Sequence, residues 1–274
     1  MIRAARRLGV SSAILAATFA TTAFVSAQNW NADHGVKITD SSGVATSGQP
    51  SANDSDEVSP LIVTGDFNRD GILDIAKIAP HTPDTSEPDH LIVMLGQTNG
   101  TFRTMSSKAM RGAARAIVRG DFNNDGILDL IVGNEDGTLT LFLGDGTGRF
   151  NSTREITHLE SVISIAVADF NNDGILDIAV SDWRASSVTI LLGDGKGSFG
   201  HMWSFPLRMR GTKPHIAAAD FNGDNVPDLA VIYDEDEGDT FDVMLSNGNG
   251  TFTIDPGGGF TKDPNSHCNT LVAQ

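Results

Sequence analysis

Oxygen-bearing side chains recur at one fixed spacing in four nine-residue stretches of this chain. They read DFNRDGILD from Asp66, DFNNDGILD from Asp121, DFNNDGILD from Asp169 and DFNGDNVPD from Asp220. Positions one, three, five and nine are Asp66, Asn68, Asp70 and Asp74 in the first. They are Asp121, Asn123, Asp125 and Asp129 in the second, and Asp169, Asn171, Asp173 and Asp177 in the third. In the fourth they are Asp220, Asn222, Asp224 and Asp228. Three carboxylates and an amide within nine residues repel one another unless a hard cation sits among them, and an all-oxygen set suits Ca²⁺. The expectation is up to four bound Ca²⁺. Gly71, Gly126 and Gly174 at position six supply the positive φ that folds such a loop, and Asn225 is the next most tolerant residue for it.

Two other readings compete. An EF-hand needs a glutamate at position twelve between helices, but Lys77, Val132, Val180 and Val231 stand there, within β-type runs. Asp, Asn and Gly are also ordinary turn residues. That preference explains a turn, but not four identically spaced aspartate sets.

The loops need a scaffold that repeats with them. They begin at 66, 121, 169 and 220, a period near 50. Each is followed by a second motif: LGQTNGTF from Leu95, LGDGTGRF from Leu143, LGDGKGSF from Leu192 and LSNGNGTF from Leu245. Two motifs in the same order at one period indicate an array of a single supersecondary unit. In the third unit the apolar runs are Val162–Ala168, Ile178–Val180, Val188–Leu192 and a fourth from Phe199. Four short strands between Gly, Asn and Asp turns predict one antiparallel four-stranded sheet per unit. The chain is therefore expected to be all-β, a β-propeller of four-stranded antiparallel blades. The blades span about 60–110, 111–160, 161–211 and 212–262, with a partial fifth at 263–274. Phe67, Phe122, Phe170 and Phe221 at position two of the loops read as core anchors.

On these two motifs the chain resembles the FG-GAP/VCBS repeat family, the integrin-α-like calcium-binding β-propeller repeats. The likeness covers about 60–262 and is closer to the VCBS-like branch. It implies a further ligand, the backbone carbonyl of position seven, which is Ile72, Ile127, Ile175 or Val226. It also implies that the calcium loops lie on one face and the connections between second and third strands on the other. The final stretch Cys268–Gln274 looks like the first strand of another unit. Three readings of the ring stay open: a fifth blade completed by N-terminal residues, an open arc that needs a partner chain or a second copy, or a fragment of a longer array.

Ahead of the repeats, Arg3, Arg6 and Arg7 precede an uncharged stretch Leu8–Val25 and the triplet Val25-Ser26-Ala27. This is the layout of a secretory signal, cleaved after Ala27, and it predicts a secreted, periplasmic or cell-surface protein. Residues 28–59 form a polar leader or linker with a short strand at Val36–Thr39, and no second apolar span follows. The formal charge of −16 argues against nucleic acid as a partner. The single cysteine, Cys268, allows no intramolecular disulfide.

No catalytic constellation is legible. His34, His81, His90, His158, His201, His215 and His267 lack metal-type spacing, and there is no nucleophile elbow or phosphate loop. Function then falls to the connections that do not repeat: Ala79–Asp89, Asn134–Gly137, Asp182–Ser187 and Asp234–Thr240. Trp183 and Tyr233 are the aromatics placed for a ligand, with Trp203 a third. The leading expectation is a binding or adhesion module for a protein or glycan, with calcium in a structural role. The alternatives are a carbohydrate-active enzyme (polysaccharide lyase or hydrolase) and a structural fragment of a larger assembly.

Overall fold

A computed structural model describes residues 61–80, 88–208, 212–234, 240–254 and 260–261. The signal segment, the leader, Cys268 and the partial fifth unit lie outside them. Among the described residues there are strands and no helix.

The period near 50 resolves into four antiparallel sheets, each built from consecutive strands. Blade one holds β1 (Ile62–Gly65), β2 (Asp74–Ala79), β3 (His90–Gly96) and β4 (Phe102–Ala109). Blade two holds β5 (Ala114–Gly120), β6 (Asp129–Asn134), β7 (Thr138–Leu143) and β8 (Ser152–His158). Blade three holds β9 (Ser164–Ala168), β10 (Asp177–Asp182), β11 (Ser187–Gly193) and β12 (Phe199–Pro206). Blade four holds β13 (Lys213–Ala219), β14 (Asp228–Asp234), β15 (Thr240–Ser246) and β16 (Phe252–Ile254), with β17 (Phe260–Thr261) also on β15. In the first three blades the pairing of third and fourth strands shifts register once, at Val93/Met94, Leu139/Thr140 and Leu191/Leu192. An extra residue there adds local twist.

The inner strands stand side by side in chain order, β1 by β5, β5 by β9 and β9 by β13. No comparable contact joins β13 to β1. Strand alternation explains the packing, because each sheet offers apolar side chains to both neighbours. On β6, Leu130 and Val132 join the core shared with blade one, while Ile131 joins the core shared with blade three. On β10, Ile178 and Val180 face blade two and Ala179 faces blade four. Four blades thus enclose three cores, one per joint.

Each joint repeats the same contacts at the loop end. The position-two phenylalanine of one blade meets the phenylalanine of the next blade's glycine-rich turn. The pairs are Phe67–Phe150 at 5.6 Å, Phe122–Phe199 at 5.9 Å and Phe170–Phe252 at 5.5 Å between ring centroids. The carbonyls of Phe67, Phe122 and Phe170 accept hydrogen bonds from the amides of Gly148, Gly197 and Gly250 at 3.0, 3.0 and 3.1 Å.

The expectation of four core phenylalanines holds for three. Phe67, Phe122 and Phe170 are 1%, 1% and 0% exposed, but Phe221 is 47% exposed. Its loop folds like the others. Among the described residues no turn of a following blade packs on it.

Candidate metal loops and binding face

The nine-residue loops join first to second strands, and the glycine-rich turns join third to fourth strands. In an antiparallel sheet both sets fall at one end of the blades. The connections between second and third strands, and those between blades, fall at the other. Topology alone therefore separates the repeated turns from the varied ones.

Within each loop the backbone curls around its own side chains. Positions four and six both take positive φ: Arg69 and Gly71, Asn124 and Gly126, Asn172 and Gly174, Gly223 and Asn225. Position six was legible from its glycines, and position four carries Asn twice and Gly once, which tolerate this conformation. In the first loop, Asp66 Oδ1 accepts from the Asp70 amide at 3.0 Å and Oδ2 from the Gly71 amide at 2.8 Å. Asn68 accepts from the Asp70 amide and donates to Asp70 Oδ2, and Asp70 Oδ1 accepts from the Ile72 amide. The second and third loops repeat this set around Asp121, Asn123, Asp125 and Ile127, and around Asp169, Asn171, Asp173 and Ile175. The fourth, around Asp220, Asn222, Asp224 and Val226, adds a bond from the Gly223 amide to Asp220.

The ninth aspartate has a second role that spacing did not show. Asp74, Asp129, Asp177 and Asp228 are buried. Each takes the position-two amide on one oxygen and the amide at the end of the third strand on the other. For Asp177 these are Phe170 at 2.9 Å and Gly193 at 2.8 Å. For Asp74 they are Phe67 and Gly96, for Asp129 Phe122 and Gly144, and for Asp228 Phe221 and Ser246. One carboxylate thus clamps the loop to the glycine-rich turn. Burial pushes the carboxyls of Asp129 and Asp177 up to about 6, against the pull of the two amides and with added repulsion from the aspartates at positions five and one. Asp74 is raised by the same causes.

Whether these residues suit a cation can be judged from their donors. All are oxygens, and among the described residues none of the loop aspartates is ion-paired to Lys or Arg. Each clamped oxygen keeps a further lone pair. The chemistry fits a hard divalent ion. The side chains do not by themselves close to a ready-made cage: among the described residues no three His, Cys, Asp or Glu side chains converge as a metal-holding group.

The aromatic candidates separate. Tyr233 is buried, and its hydroxyl donates to Asp242 Oδ2 at 2.9 Å. It is a core residue of the joint between blades three and four, not a surface contact. Trp203 lies half-buried on β12, at the joint beside Gly250, where an added Cβ would stand 2.8 Å from the indole. Trp183 remains, half-buried in the connection after β10. The Arg184 guanidinium lies 5.5 Å from its ring centroid. Asp182 fixes this connection: Oδ1 accepts from the Arg184 and Ala185 amides at 3.0 Å, and Oδ2 from the Glu160 and Ser161 amides. Ser161 adds its hydroxyl to Oδ1 at 3.1 Å. The sequence offered Trp183 as an aromatic in a varied loop, but not the aspartate that holds it.

Blades of four antiparallel strands in series, each opened by an acidic loop, define a propeller-repeat protein. Residues 121–180 and 169–231 match the family profile of the FG-GAP-like repeat. Among curated proteins, none matches the chain. One similar solved structure is a lectin from Agrocybe aegerita, described as specifically recognising non-reducing terminal N-acetylglucosamine. It shares 20% identity over 72% of this chain and 51% of its own, with a TM-score of 0.48. The chain thus spans about half the length of that lectin.

Proposed function

We propose that this is an exported calcium-binding propeller-repeat protein that holds a protein or glycan at the end of its blades opposite the acidic loops. One observation carries the reading. Every turn at the loop end repeats and is tied into the sheets, whereas the other end presents connections that differ from blade to blade, with Trp183 and Arg184 on a loop fixed by Asp182. A flat aromatic beside a guanidinium stacks on a sugar face or a peptide side chain at little cost in ordering. Calcium acts in the frame: it neutralises three carboxylates per loop and draws Asp66, Asp70 and Asp74, and their counterparts, around one ion, with the position-seven carbonyl as a further donor.

The test is binding of the purified chain to glycan and protein arrays in calcium, followed by titration of the best hit. Trp183→Ala and Arg184→Ala are each expected to weaken that hit at least tenfold while leaving the melting temperature near wild type. Unchanged affinity in both variants would remove this face from the reading.

A further inference from the structure

The connection that carries Trp183 and Arg184 departs from its counterpart in blade two in length, backbone and charge. Between second and third strands, blade two has Glu135, Asp136 and Gly137, whereas blade three has Trp183, Arg184, Ala185 and Ser186. The last residue does the same task in both. The Gly137 carbonyl accepts from the Leu159 amide at 2.9 Å, and the Ser186 carbonyl from the Leu207 amide at 2.8 Å. Both take positive φ, 91° at Gly137 and 52° at Ser186. Glycine adopts that conformation freely and serine only at a cost. Among the described residues, the other non-glycine residues with positive φ all lie in the acidic loops. Such strain persists where the surroundings over-determine it. Here Asp182 holds one end of the connection and the Leu207 amide the other.

The charge reverses as well. Blade two places two acids on this connection, and Glu135 is engaged in an ion pair with Arg115. In blade three Arg184 is exposed and forms no ion pair among the described residues. Glu160 stands on the adjoining connection, and its amide shares the Asp182 carboxylate with the Arg184 amide, yet the two side chains do not pair. The Arg184 guanidinium lies instead over the Trp183 ring. A guanidinium set against an aromatic face keeps its in-plane N–H donors for another partner.

We propose that the ligand of this connection is an acidic sugar, its ring against Trp183 and its carboxylate on the Arg184 fork. The proposal rests on the reading of this end of the blades as the ligand face. A planar carboxylate meets a guanidinium through two parallel hydrogen bonds, which a neutral hydroxymethyl group cannot reproduce. In a chain of formal charge −16 the overall field does not draw an anion, so the preference falls to this one guanidinium. A protein is the poorer occupant. A protein interface covers about 800 Å² per partner around apolar anchors. Of the exposed large apolar residues, Ile62, Leu73, Phe102, Met202 and Phe221, none lies on a connection between second and third strands.

The experiment measures binding of the purified chain, in calcium, to oligosaccharides of glucuronate, galacturonate and mannuronate. Each is paired with its carboxyl-reduced neutral counterpart and with a sulfated form of that counterpart. Circular dichroism verifies that every variant folds. The wild type is expected to bind at least one uronate about tenfold or more tighter than its reduced counterpart. Arg184→Gln is expected to erase that preference, and Arg184→Lys to keep only part of it, because the charge stays and the fork is lost. Trp183→Ala is expected to weaken acidic and neutral sugars alike. A wild type that binds no uronate, binds each no better than its reduced counterpart, or prefers the sulfated form overturns the proposal. A preference that survives Arg184→Gln equally overturns it. Loss of a neutral hit in Trp183→Ala but not in Arg184→Gln overturns the acidic sugar and keeps the face. Unchanged affinity for every hit in both variants overturns the face itself.

Discussion

Replacing the position-two phenylalanine by alanine, one loop at a time, probes the frame most directly. The four sites share the sequence Asp-Phe-Asn and the same amide bond to the ninth aspartate, so local structure is held constant. Only the following blade differs. Phe170 is 0% exposed and packs edge-on to Phe252. Its removal loses a buried phenyl and leaves a walled cavity, about 3–5 kcal/mol. Phe67→Ala and Phe122→Ala are expected in the same range. Phe221 is about half exposed, so its alanine variant forfeits roughly half of a transfer energy of about 1.5–3 kcal/mol and opens no closed cavity. Its expected cost is about 1 kcal/mol. The assay is urea unfolding in saturating calcium, at a protein concentration low enough to keep chains single, followed by two probes because repeat arrays can unfold in stages. Equal costs at Phe170 and Phe221 would refute the account of the joints. So would a small cost at Phe122.

Other expectations follow from the loops and turns. If the loops hold calcium as proposed, calcium about a hundredfold above Kd would add about 2.7 kcal/mol per site, so a chelator is expected to lower the melting temperature by several degrees, and no shift would remove calcium as a stabiliser. Without calcium, Asp129 and Asp177 titrate near 6 in the fold, against 3.8 for the ordinary carboxyl. An acid whose folded pKa is raised favours the fold when protonated, so stability from these groups is lost as pH rises from about 4 through about 6. The urea midpoint in chelator is therefore expected to be higher at pH 5 than at pH 7.5, and excess calcium is expected to flatten the difference; a chelated protein with the opposite slope contradicts it. Asp177→Asn keeps one acceptor and sets an amide N–H against the Phe170 or Gly193 amide, an expected loss of about 1–3 kcal/mol readable in chelator, where no ion contributes. Gly148→Ala is expected to destabilise more than Gly100→Ala by thermal melting. Both glycines have φ near +80°, but only Gly148 would place its Cβ against Leu95 of the preceding blade, at 2.7 Å.

The sequence determined what depends on neighbours within a few residues. Aspartate and asparagine at positions one, three and five bond the nearest amides. Glycine or asparagine at position six supplies the positive φ, and a period near 50 with short β-rich runs yields four-stranded sheets in chain order. These are local choices, and four similar spellings give four similar loops. Tertiary structure decided whatever depends on a neighbouring strand or blade. Phe221 is spelled like Phe170 and ends up exposed because burial there comes from the next blade's turn. Asp177 has the spacing of a metal ligand and also clamps the turn after β11, a contact sixteen residues distant in sequence. Tyr233 sits beside a varied connection, yet it turns into the core to reach Asp242 on the paired strand, where its ring escapes water and its hydroxyl keeps a partner. Trp183 stays at the surface because Asp182 spends its oxygens on backbone amides of two connections and holds the loop in place.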